Sequence, residues 1–135
     1  MDTDLIKELV LDGGQFHDIP SFYEEVNRVF MADADFKLGI SLDAFNDMLY
    51  GGYGAIRGNE PIRLRWLNLE KSRGDLGVEA TIAFYKAKLE QLGTFDAEWS
   101  RRKLEELERG EGQTYFDILL EIIGLHPNIQ LVADV

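Results

Sequence analysis

Two aspartates stand four residues apart in the segment SLDAFNDMLYGG, residues 41–52. On a helix, Asp43 and Asp47 would lie one above the other, where like charges cost roughly 0.2–0.5 kcal/mol. The segment has no lysine or arginine to pair with them. Three explanations stay open: a carboxylate pair for hydrolysis or metal binding, solvated acids near a helix N-terminus, or a surface for a basic partner.

Other candidate sites for chemistry have weak patterns. Carboxylates that catalyse hydrolysis usually come from separate elements that face each other across a cleft. His17 and His126 are the only histidines, and neither has a second metal ligand three or four residues away. Gly52-Tyr53-Gly54 could begin a dinucleotide-binding loop, but the fingerprint needs glycine where the chain has Arg57. These patterns do not favour a cofactor or a metal.

The charge of the chain is strongly negative and unevenly spread. The net charge is −11 over 135 residues, and residues 1–50 hold eleven acids against three bases. Such a field repels phosphate backbones, so nucleic-acid binding is not expected. It would steer a basic partner, or it would serve only solubility.

Composition also predicts the compartment and the number of domains. The chain has no cysteine, which fits a reducing cytosol. The acidic start, MDTDLIKELVLDGG, lacks the apolar segment of a secretory signal, and no apolar run approaches the roughly 18 residues of a membrane span. We therefore expect a cytoplasmic protein that makes no membrane contact, with residues 1–135 forming a single domain.

The segment with the two aspartates has the pattern of a short anchored helix. Ser41 is a good N-cap, and Gly51 can end the helix in a left-handed conformation. An apolar stripe would face the core; it consists of Leu42, Phe45, Met48 and Leu49. Asp43 and Asp47 lie off this stripe, so both carboxylates are predicted to point to solvent.

The remaining pattern alternates between strands and helices. Three strands are predicted, in ELVLDGG, IRLRWL and PNIQLVADV. Further helices are predicted over about 20–32, 79–92, 95–110 and 114–124. Strands separated by helices predict an α/β fold with a small, mostly parallel sheet.

In this order, the segments resemble the barstar family, the intracellular inhibitors of barnase-type ribonucleases. GISLDAFNDML, residues 39–49, is similar to the family pattern G-x-N-L-D-A-L-x-D-x-L. IRLRWLNLEKS is similar to the second strand, with Trp66 in the place of a core tryptophan and Ser72 at a matching distance. LVLDGGQFHDIPSFYEEV and FDILLEIIGLHPNIQLVAD match the family's first and last elements. The likeness covers about 9–76 and 113–134, and a helical insertion at about 78–110 has no counterpart.

The resemblance implies three parallel strands covered by helices on one side, and a non-enzymatic protein that plugs the active site of a basic ribonuclease or related toxin nuclease. In the family, acids of this helix meet basic catalytic residues where RNA phosphate would bind, and Asp47 matches the dominant contact. A third acid, Glu121, lies on the last helix. The implied partner-binding residues are Lys37, Gly39, Leu42, Asp43, Ala44, Asn46, Asp47, Tyr50 and Glu121. We expect no cofactor, no metal ion and a monomer when the chain is free.

The chain departs from the family pattern at the aromatic positions. Lys37 and Asn46 stand where the family has an interface tyrosine and tryptophan, and Gly52 replaces another aromatic. Lost aromatic anchors change the packing at the centre of an interface. The identity of the target therefore stays open. An alternative is an interaction module of this fold with a non-nuclease partner, contacted by the 78–110 insertion.

Overall fold

The computed structural model describes residues 6–91 and 97–134, apart from the side chain of residue 91. The strands are β1 (Lys7–Asp12), β2 (Ile62–Leu67) and β3 (Ile129–Asp134). The helices are α1 (Ile19–Phe30), α2 (Leu42–Leu49), α3 (Leu69–Asp75), α4 (Val78–Gln91), α5 (Ala97–Glu108) and α6 (Tyr115–Gly124), and a 3₁₀ turn spans Gly13–Gln15. The predicted helix end near Gly93 and the next helix start near Phe95 lie outside the described residues.

The three strands form one parallel sheet in the order β1-β2-β3. Leu64 of β2 pairs with Leu9 of β1 and with Leu131 of β3, so these apolar side chains share one face. Helices pack around this sheet. The α/β fold with a three-stranded parallel sheet, predicted from the sequence, is therefore confirmed.

The two faces of the sheet differ sharply in burial. Along β2, Ile62, Leu64 and Trp66 are buried, whereas Arg63 and Arg65 on the opposite face are half-buried. The Arg65 guanidinium lies 3.3 Å from Glu8 of β1 and 3.0 Å from Asp134 of β3. One arginine thus links both edge strands across the face that the helices leave open.

Trp66 lies at the centre of the buried face. Its ring stacks on Phe22 of α1, with centroids 6.0 Å apart, and meets Phe116 of α6 edge-on at 5.7 Å. Its indole Nε1–H donates to Ser72 Oγ at 2.9 Å, and both side chains are buried. Ser72 belongs to α3, a helix that the sequence pattern did not predict. This hydrogen bond satisfies a polar group that would be costly to bury alone.

A buried pair of tyrosines joins α1 to α6. The hydroxyls of Tyr23 and Tyr115 are 2.6 Å apart. The backbone N–H of Tyr115 donates to Thr81 Oγ1 at 2.7 Å, and this bond ties α4 to the start of α6. The last helix is therefore fixed by polar contacts at its N-terminal end as well as by its apolar side.

The two helices predicted for the insertion are present as α4 and α5. Phe84 of α4 packs edge-on against Tyr115, with ring centroids 5.0 Å apart. Tyr85, one residue on, meets Trp99 of α5 in the same way at 5.8 Å. Aromatic contacts thus attach α4 to the body of the domain and α5 to α4. We call this pair the α4–α5 hairpin.

Candidate partner-binding surface

Helix α2 is anchored on one side and capped at its start. The Ser41 hydroxyl oxygen accepts from the Ala44 N–H at 3.1 Å, as an N-cap serine should. Phe45, Met48 and Leu49 are buried in the core. The predicted stripe is therefore correct, and it fixes which side of the helix faces solvent.

A glycine contact ends α2 as the sequence predicts. Gly51 has a φ of 84°, the left-handed conformation in which glycine is favoured. Its carbonyl accepts from the Gly58 N–H at 2.8 Å, and a side chain on Gly51 would collide with the Gly58 backbone. This contact holds the loop after α2 close to the helix end, and Tyr53 lies in that loop.

Both aspartates are exposed on the outward side of α2. Among the residues that the structure describes, neither Asp43 nor Asp47 takes part in an ion pair, whereas acids such as Glu25 and Glu60 do. We use the name α2 face for the outward side of this helix, with Asp43, Asn46, Asp47 and Tyr50. No described residue neutralises the two carboxylates of this face through an ion pair.

Tyr53 lies beside the α2 face. Burial, and secondly the charge of Asp47, raise the pKa of the Tyr53 hydroxyl. Phe36 packs edge-on against the Tyr53 ring at 4.9 Å and remains 49% exposed. Tyr53 therefore supplies aromatic surface near Asp47, and Phe36 extends that surface from Tyr53, although neither is among the predicted site residues. Phe36 lies in the polar segment ADADFKLGI, where no periodic pattern marks it, so only the folded structure reveals it.

His126 is buried beneath the α2 face and contacts two of its residues, Asn46 and Tyr50. Its side chain is 4% exposed, and burial lowers its pKa, which favours the neutral imidazole. His126 Nε2 lies 2.7 Å from Asn46 Oδ1. Because an amide oxygen can only accept, the ring nitrogen donates this hydrogen bond. Tyr50, 65% exposed, rests edge-on against the same ring at 4.6 Å.

The other predicted residues lie around or beneath this face. Glu121 is exposed on α6, which packs against α2, and Gln113 donates to its carboxylate at 3.4 Å. Leu42 and Ala44 are half-buried and pack against the core. Gly39 is exposed in the loop before α2, in space that would accept a side chain. Lys37 lines a separate groove beside α1.

Asn27 of α1 holds the loop before α2 in place. Its side-chain oxygen accepts from the Leu38 N–H at 2.7 Å, and its amide donates to the Leu38 carbonyl at 3.1 Å. This bidentate contact fixes the backbone between Lys37 and Gly39. The predicted residues of this loop and those of α2 are thereby held at set positions.

The surface carries acids and aromatic rings, and the described residues form no metal-binding cluster there. Within residues 6–91 and 97–134, no three histidine, aspartate or glutamate side chains are grouped so that they could hold a metal ion. In the same part of the chain, no helix has both the length and the apolar character needed to cross a bilayer. What the arrangement offers is a negatively charged patch on a helix anchored in the core, with aromatic rings at its margin.

Comparison with known proteins adds nothing to this description. No protein-family model matches the chain, and neither a curated protein nor a solved structure does.

Proposed function

We propose that the chain inhibits a basic ribonuclease or a related toxin nuclease by blocking its active site with the α2 face. Asp43 and Asp47 would take the place of RNA phosphates against the basic residues of the enzyme. The observation that carries the proposal is that both carboxylates are exposed, form no ion pair with a described residue, and stand on a helix whose other side is buried.

Physical chemistry supports this role for two neighbouring acids that form no ion pair with a described residue. A like-charged pair is held at a small cost to the helix, and a cationic partner would recover that cost on binding. Hydrogen bonds hold the backbone on both sides of α2, at Leu38 and at Gly51, and this limits the entropy lost on association. The exposed rings of Tyr50 and Phe36 are suited to the apolar part of an interface. They offer aromatic surface although Asn46 and Lys37 replace aromatic residues of the family pattern.

The test is calorimetric titration of the purified chain with a barnase-type ribonuclease at about 0.05 M and about 0.3 M salt. We expect tight binding that weakens as salt rises, together with loss of ribonuclease activity in the complex. Asp47→Asn should weaken binding by several kcal/mol, because a buried interfacial cation would lose its partner. Glu79→Gln is the matched control, since Glu79 is an exposed acid on α4.

Two results would contradict the proposal. One is the absence of heat at either salt concentration, which would favour a partner other than a nuclease. The other is an Asp47→Asn variant that binds as well as the wild type. In the second case binding would stand, but the α2 face would not be its site.

A further inference from the structure

The α4–α5 hairpin lies beside the N-terminal end of α2, and a groove of about 330 Å³ separates them. Its lining includes Leu42, Trp99, Glu106, Glu111, Gln113 and Ile118. We call it the Trp99 groove. Leu42 directly precedes Asp43, and Gln113 Nε2 donates to the carboxylate of Glu121 at 3.4 Å. The groove therefore begins where the predicted acidic surface ends.

Trp99 is held in place while half of its surface is open. Its side chain is 48% exposed. One edge packs against Tyr85, which is buried, with ring centroids 5.8 Å apart. An aromatic ring with few remaining rotamers loses little entropy when it becomes buried in an interface.

The exposure of Trp99 is not explained by packing of the core. The main buried cluster of the described residues contains no member from α5, and α4 adds only Ala80 and Phe84 at its margin. The hairpin is thus attached to a core that is complete without α5. A half-exposed tryptophan that lines a groove on such an attachment is of the residue type enriched at protein interfaces.

The groove is lined by two carboxylates, Glu106 and Glu111, and by the ammonium of Lys103, so its net charge suits a cationic side chain. Burial, and then the charge of Glu106, raise the pKa of Tyr85, which places that carboxylate near the tyrosine hydroxyl. Glu106 pairs with Lys103 at 3.7 Å, and Glu111 pairs with Arg109 at 3.2 Å. The Arg109–Glu111 pair is exposed and the Lys103–Glu106 pair is partly exposed. Ion pairs open to solvent are weak, so a partner can replace them.

The chain itself shows how a cation fits there. The Lys103 ammonium lies over the Trp99 ring, 5.6 Å from its centroid, while it pairs with Glu106. A cation over an indole face gains from the charge distribution of the ring. Arginine adds a planar group that can stack on the ring and bind a carboxylate with two hydrogen bonds.

We propose that the Trp99 groove is a second contact region for the same basic nuclease, and that it accepts an arginine or lysine side chain between Trp99 and the carboxylates of Glu106 and Glu111. This inference rests on the proposed function. It assigns the groove-lining side of the α4–α5 hairpin to the partner-binding surface, continuous with the α2 face through Leu42 and with Glu121 through Gln113. Glu79 does not line the groove and stays outside this surface.

The first test observes Trp99 directly by fluorine NMR of the full chain labelled with fluorotryptophan. The chain has two tryptophans, and Trp66 in the core is the internal control. Trp99→Phe assigns the resonances. On addition of unlabelled barnase-type ribonuclease, the Trp99 resonance should shift while that of Trp66 stays in place. A complex that forms without moving the Trp99 resonance would overturn the inference and leave the proposed function intact.

The second test compares two charge reversals that change the net charge equally. Glu111→Lys places a cation in the groove, whereas Glu108→Lys places one on an exposed α5 position that does not line it. We expect Glu111→Lys to lower the affinity about tenfold more than Glu108→Lys does. Equal losses would mean that only the overall field matters and would overturn the inference. Absence of wild-type binding would contradict the proposed function, and this inference with it.

Discussion

His126 lies under Asn46, with its Nε2 2.7 Å from the amide oxygen, although the two residues are 80 positions apart in the chain. The same imidazole supports the ring of Tyr50. A buried histidine thus fixes half-buried Asn46 and exposed Tyr50 on the α2 face, and its protonation state is linked to the stability of the fold.

The stability of the chain should fall as the pH drops below about 6.5. Burial lowers the pKa of His126 in the folded chain, so the unfolded chain takes up a proton first and is favoured by acid. The free energy of unfolding begins to fall near the pKa of His126 in the unfolded chain, and it levels off below the pKa of His126 in the folded chain. Urea unfolding at about pH 7.5 and about pH 5.5 measures it. In His126→Gln this part of the decrease should be absent, and an unchanged pH dependence in that variant would contradict the assignment.

Alkaline pH should destabilise the chain through the tyrosine pair. Burial raises the pKa of Tyr23 to about 12 and moves the pKa of Tyr115 in the same direction. The unfolded tyrosines lose their protons near pH 10, so stability is complete below that value and is lost as the pH rises above it. Urea unfolding measures the loss of stability between about pH 9 and about pH 11. This loss should be smaller for the Tyr23→Phe/Tyr115→Phe double variant than for the wild type.

Neutralising Asp47 should leave the fold intact or stabilise it slightly. Asn removes the repulsion from Asp43 and an anion from the C-terminal half of α2, so we expect a gain of about 0.3–0.5 kcal/mol at low salt. Denaturant unfolding measures this without any partner. A loss of more than about 1 kcal/mol would reveal an internal partner for Asp47 and would contradict its availability for binding.

Asp12→Asn provides the contrast for this experiment. Asp12 accepts a hydrogen bond from the Gly14 N–H at 2.8 Å, and this backbone contact is the main reason its pKa lies below the ordinary value. Removing its charge should therefore destabilise the chain. If the free energy of unfolding falls in Asp12→Asn and rises in Asp47→Asn, Asp12 stabilises the fold whereas Asp47 does not, and Asp47 remains available to a partner.

Ser72→Ala should cost about 1–3 kcal/mol, because the buried Trp66 indole N–H would lose its acceptor. Ser100→Ala is a matched control at an equally buried serine. Its hydroxyl has no hydrogen-bond partner among the described residues, so we expect a much smaller change. Chemical denaturation of both variants measures the difference. Equal costs would show that cavity formation, and not the hydrogen bond, sets the stability at Ser72.

The sequence predicts those parts of the fold whose signals are local. The stripe of Phe45, Met48 and Leu49, the Ser41 cap and the terminal Gly51 together define α2 and its solvent side. Helix α3 has no such local signal because it is short and polar. Asn68, which precedes it, has a left-handed φ of 56°, and its side chain makes no capping hydrogen bond.

The margin of the candidate site could not be predicted, because it depends on contacts between distant segments. Phe36 packs against Tyr53 although the whole of α2 separates them in the chain. His126, in the turn before β3, forms a hydrogen bond with Asn46 of α2. No periodicity links such residues. The exposure of Asp43 and Asp47 could be predicted, because their positions relative to the apolar stripe of α2 set the direction of both side chains.

The position of the α4–α5 hairpin in the chain also bears on how the sheet forms. The central strand β2 acquires its second neighbour, β3, only when the chain from Leu67 to Ile129 has closed. The hairpin lengthens this closure, yet each doubling of a loop costs only about 0.6 kcal/mol of entropy. Its main cost therefore falls on the rate of folding, since distant contacts must be found before they contribute stability.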